Sequence, residues 1–138
     1  MAANITPIFV LAGNIKPARI AAANTAADGS GTLVTLITAG ASGSRVDGVR
    51  FRSTAVFATS TANVHRIFLS DTAGTNDRLI GEVATATATR SATAVGATSI
   101  FTFDQPIIML SGQIMSVNQC NYAGTQDQFD TCPFAGDY

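Results

Sequence analysis

The sequence has no tryptophan, one lysine (Lys16), one glutamate (Glu82), one histidine (His65) and two cysteines, and charged residues make up only 12% of it. Each shortage excludes something. Phosphate-binding surfaces need clustered Lys and Arg, so a formal net charge of −1 argues against a nucleic-acid partner. The longest apolar runs, Ile8 to Ala12 and Pro106 to Leu110, are far too short to span a bilayer as helices, so no membrane partner is expected. The opening Met-Ala-Ala-Asn-Ile-Thr-Pro has neither the basic start nor the apolar stretch of a signal peptide, and synthesis and assembly in a cytoplasm are expected. In that reducing setting Cys120 and Cys132 are expected as thiols, and they form no CxxC pair.

Catalytic patterns are missing as well. Gly40-Ala41-Ser42-Gly43-Ser44 has the wrong spacing for a GxSxG elbow, and neither GxxxxGK[ST] nor GxGxxG occurs. A lone histidine inside an apparent strand is expected to be a packed residue, and no motif places two carboxylates for acid–base work. Asp71, Asn76 and Asp77, and again Asp127 and Asp130, make oxygen-rich stretches, but the EF-hand pattern is absent and turn chemistry accounts for both. The sequence predicts no catalytic residue, no metal and no cofactor.

What is present reads as β-structure. Thr, Val, Ile and Phe recur in short runs bounded by Gly, Ser, Asn and Asp, as in a single-domain antiparallel β-sandwich over residues 1–138. Strands are predicted at Ile5–Leu11, Thr32–Thr38, Arg45–Ser53, Val64–Ser70, Arg78–Val83, Ile100–Phe103, Ile107–Leu110, Gln113–Cys120 and Gln128–Phe134. Thr32–Thr38 carries apolar residues on both faces and is expected to be central. Pro106 is expected to divide two strands, and the last two strands to form a hairpin that brings the cysteines near one another. The alanines at 21–23 and 26–27 are too interrupted for more than one helical turn. The stretch ATATATRSATA (84–94) is either a loose loop or a place where small side chains let another chain approach.

Arginine outnumbers lysine seven to one. Alternation puts Val49 and Phe51 on one side of a strand and Arg50 and Arg52 on the other. If 45–53 pairs with 64–70, Arg66 joins them on an outward face. Guanidinium groups suit pairing with carboxylates of a neighbouring subunit, so Arg50, Arg52 and Arg66 form the candidate subunit interface. The charge shortage points the same way, because a free monomer normally carries a more charged surface.

Several stretches resemble small virion proteins of tailed bacteriophages: Asn4-Ile-Thr-Pro, Asn24-Thr25-Ala26 with Asp28-Gly29-Ser30-Gly31-Thr32, Thr38-Ala39-Gly40, and Gly43-Ser44-Arg45-Val46-Asp47. Val49-Arg50-Phe51-Arg52, Val64 to Leu69 and Gly136-Asp137-Tyr138 fit the same pattern. The resemblance is to capsid decoration, or cement, proteins. It implies a jelly-roll fold, a homo-oligomer (a trimer), the major capsid protein as partner, a place on the capsid surface and no catalysis. The alternative is a receptor- or glycan-binding module of a phage fibre or tail, which the supply of aromatic side chains, only Tyr122 and Tyr138 besides phenylalanine, favours less.

Overall fold

A computed structural model describes residues 10–55 and 57–138. The chain is an antiparallel β-sandwich whose described residues contain one 3-10 turn, Thr125–Asp127, and no α-helix. The first sheet holds β1 (Ala12–Gly13), β2 (Ala18–Ile20), β4 (Ser44–Ser53), β9 (Thr98–Met109) and β11 (Phe129–Asp137), in the order β1-β11-β4-β9 with β2 also on β11. The second is β3-β10-β6-β7, made of β3 (Val34–Thr38), β6 (Asn63–Leu69), β7 (Arg78–Thr85) and β10 (Ile114–Gln119). A small ribbon joins β5 (Thr59–Ser60) to β8 (Ala88–Thr89). The antiparallel pairs nest: β6 with β7, β4 with β9, β3 with β10 and β2 with β11.

Alternation explains the core. Val46, Val49 and Phe51 of β4 point inward with Phe129 of β11, and meet Ile67 of β6 and Met115 and Val117 of β10. His65 of β6 lies between the sheets, stacked on Phe51 at 4.5 Å and meeting Phe129 edge-on at 4.4 Å. It is fully buried, and neither ring nitrogen has a hydrogen-bond partner. Burial pushes its pKa down to about 4.

Three expectations need correction. The Thr32–Thr38 run yields β3, which is an edge strand. Its two buried neighbours, Leu36 and Ile37, both turn inward because a bulge opposite Met115 and Ser116 breaks the alternation. Pro106 does not divide a strand. β9 runs through it, since between the Thr102–Gly48 and Ile107–Val46 partners the chain leaves the β4 ladder and no donor is needed there. The final two strands are not a hairpin, as β10 and β11 belong to different sheets. Cys120 and Cys132 accordingly stand as free, half-buried thiols on different layers. The predicted first strand, Ile5–Leu11, lies mostly outside the described residues, and β1 begins at Ala12.

Within 84–94, Ala84 and Thr85 end β7 and Ala88–Thr89 forms β8, so the stretch is partly ordered into strands. Thr85 is buried, its hydroxyl 2.6 Å from that of Ser99, while Thr87 and Thr89 are exposed. The alanines at 21–23 and 26–27 form no helix.

Candidate interface on the five-stranded sheet

The outer faces of the two sheets differ. On the second sheet Phe68, Ser116 and Asn118 point away from the core and are nevertheless buried, and residues 21–33 lie over Asn118 and Arg66. That segment is tied down by the Asn24 N–H donating to the Gln119 carbonyl (2.8 Å) and by Asn118 Nδ2 donating to the Ala26 carbonyl (3.0 Å). Asn24 also folds the segment on itself, donating through Nδ2 to the carbonyls of Ser30 and Thr32 and accepting from the Ala26 N–H.

Arg66 belongs to this layer. Its Nε donates to Glu82 Oε1 at 2.7 Å and its Nη1 to the Thr25 carbonyl at 2.7 Å. The hydrogen bond it donates to Glu82 raises its pKa. β4 and β6 sit in separate sheets because the inward residues of each face the other across the core, so the structure does not place Arg66 beside Arg50 and Arg52. Its guanidinium holds the covering segment.

Arg50 and Arg52 lie together on the outer face of the first sheet. Register places Arg52 between Asp130 and Thr98, and Arg50 between Cys132 and Ile100. Gly48, between Phe134 and Thr102, supplies no side chain, and a Cβ there would meet the Phe101 carbonyl oxygen at 2.4 Å. Arg45 then stands opposite Ile108. Ile100 (54% exposed), Ile108 (55%) and Phe134 (36%) therefore share a face with the arginines.

The charges on this face are unequally matched. Arg19 donates to Asp130 at 2.8 Å and Arg45 to Asp47 at 2.7 Å, and each carboxylate raises the pKa of its arginine. Among the described residues neither Arg50 nor Arg52 forms a salt bridge. A shallow recess at one end is lined by Arg19, Arg52, Ser53, Thr54, Arg90 and Asp130. Arg90 escaped the sequence reading because it lies in the Ala/Thr stretch. The exposed isoleucines were within reach of alternation, had the partner of β4 been known.

In the oxygen-rich stretches Asp71 turns onto its own loop, while Asp127 also reaches the distant Thr61. Asp71 accepts from the N–H groups of Ala73 and Thr75 and from Asn76 Nδ2, contacts that hold it below the usual carboxylate range. Buried Asp127 accepts from Thr61 N–H and hydroxyl and from Ala123 N–H. Desolvation pushes its pKa up, but these bonds outweigh it and the net direction is down. Among the described residues no group of three or more His, Cys, Asp or Glu side chains is placed to hold a metal ion, and no helix is long and apolar enough to cross a membrane.

No family model matches the chain, and no curated protein matches it significantly.

Proposed function

We propose that this chain is a structural protein of a virus shell, a capsid decoration protein that associates with itself and with the major capsid protein and catalyses no reaction. The observation that carries the reading is the uncovered outer face of the five-stranded sheet. There, among the described residues, Arg50 and Arg52 form no salt bridge and share the face with exposed Ile100, Ile108 and Phe134. Apolar side chains around guanidinium groups are the composition of an interface core, where Arg and aromatic residues are enriched and Lys and Glu depleted. The nested strand pairs add support, since nesting of antiparallel pairs over two sheets is what a jelly roll, common in viral capsid proteins, requires. The sequence resemblance to tailed-phage decoration proteins points to the same role.

The decisive experiment adds purified protein to capsids stripped of it. Binding at saturable copy number, with a higher rupture temperature, is expected. A protein that remains monomeric at micromolar concentration by light scattering and leaves the capsids unbound overturns the reading.

One observation favours the second reading, a glycan-binding module. A groove lined in part by Phe134 and Tyr138 also contains Arg45 and Asp47, which puts aromatic faces beside hydroxyl-binding groups. Saturation-transfer NMR with a panel of host-surface sugars tests it; transfer to sugar ring protons that is lost in Phe134→Ala supports it.

A further inference from the structure

The uncovered face and one corner of the opposite layer match in charge. The loop 71–77 joins β6 to β7, and the loop 27–31 belongs to the segment that covers the second sheet. The two loops touch: a Cβ on Gly29 would lie 2.6 Å from the Asp77 carbonyl oxygen. Asp28, Asp71 and Asp77 thus gather at one corner with Arg78 as their neighbouring cation. Hydrogen bonds from the side chain and backbone of Ser30 keep Asp28 ionised, as those from Thr75 and Asn76 do for Asp71. The corner is concave, with Leu69, Ser70, Asp71, Asn76, Arg78 and Ile80 lining a recess that offers both carboxylate and apolar wall.

The face has three guanidinium groups without a salt bridge among the described residues, Arg50, Arg52 and, at its end, Arg90; the corner has two carboxylates in excess of Arg78. A two-fold contact of two uncovered faces centred on Arg50 and Arg52 would set arginines against arginines, which is unfavourable. Contact between unlike surfaces avoids this, and it is the kind that closes into rings. We infer that copies of this chain associate head to tail, the Arg50–Arg52 face of one copy seated on the Asp28–Asp71–Asp77 corner of the next. The inference rests on the self-association proposed above and names the surfaces that carry it.

Charge reversal tests it at exposed Arg50, Arg52 and Asp28 and at half-buried Asp77, with circular dichroism as the check that each variant folds. Arg50→Glu with Arg52→Glu is expected to weaken self-association on the order of a hundredfold or more and to give monomers by light scattering. Asp28→Lys with Asp77→Lys is expected to do the same. All four together in one chain reverse the net charge of both surfaces, with Asp71 kept for its loop, and are expected to restore the oligomer. An oligomer that ignores the arginine reversal, or a folded fourfold variant that stays monomeric, overturns the head-to-tail contact while leaving the decoration reading in place. A monomeric wild type whose capsid binding depends on Arg50 and Arg52 also overturns it, by making the capsid the occupant of the face. A wild type that neither self-associates nor binds capsids removes both.

Discussion

The four-stranded sheet has residues of its own chain over its outer face, whereas among the described residues the five-stranded sheet leaves its outer face open. The consequence is visible in the arginines. Arg66, 18% exposed at its side chain, has its guanidinium committed to Glu82 and to a backbone carbonyl of the covering segment. Arg50 and Arg52, one layer away, have no such partners among the described residues. The same residue type serves folding on one sheet and is available for assembly on the other. What separates the two is whether a strip of chain lies over the strand.

This contrast can be probed from the core outwards. Phe51 is fully buried and contacts His65 of the opposite sheet, so it serves both layers at once. Phe51→Ala should destabilise the fold by about 3–5 kcal/mol, read from urea unfolding, and should weaken both layers together. Unfolding in two separate steps would show that the sheets are independent.

His65 gives the next largest effect, through pH. Its neutral form is favoured in the native state, where its pKa is about 4, and the unfolded chain takes up a proton near 6.5. Between those values the unfolded state binds more protons, so stability rises with pH there. The contribution is fully present above 6.5 and lost as pH falls towards 4, amounting to about 3 kcal/mol. His65→Leu should flatten that slope in equilibrium unfolding from pH 7 to 4. An unchanged slope in the variant would assign the acid sensitivity to carboxylates such as Asp127, whose depressed pKa also makes stability fall with acid.

Asn24→Ala addresses the cover alone. It removes three hydrogen bonds that fold the segment, at a cost of about 1–3 kcal/mol, and should open residues 21–33 to limited proteolysis. Equal protease resistance of variant and wild type would show that Asn118 and Arg66 suffice to hold the layer.

The smallest change in folding stability is expected on the open face. Arg50→Gln with Arg52→Gln should leave monomer stability within about half a kcal/mol, since exposed substitutions rarely do more. The same pair should weaken association strongly, because unpaired carboxylates would be left in the contact. A large loss of monomer stability would mean that the face is covered within the monomer.

Strand faces were legible in the sequence and strand partners were not. The alternation of Val49, Arg50, Phe51 and Arg52 fixes which side chains turn inward, and the turn at Asp71–Asp77 follows from its Asp, Gly and Asn content. Pairing depends on contacts remote in sequence. Nothing local assigns β10 and β11 to different sheets, or places β4 and β6 face to face across the core rather than side by side. Arg66 was grouped with Arg50 and Arg52 for that reason. The bulge that turns both Leu36 and Ile37 inward made an edge strand resemble a central one. The cover over the second sheet was invisible because residues 21–33 are small and polar, and it is held by backbone carbonyls that any residue supplies.

The nested pairing also sets an order in time. β6 and β7 are joined by a short loop and can close early, while Arg19 and Asp130, partners across β2 and β11, are 111 residues apart. Distant closures are slow because the chain must lose more freedom before the contact forms. β11 is the last described strand to leave the ribosome, yet it pairs with β1, β2 and β4. The sheet that displays Arg50 and Arg52 is therefore incomplete until β11 has been made. A nascent chain can complete the covered layer, whose last strand is β10, before it completes the face that carries those arginines.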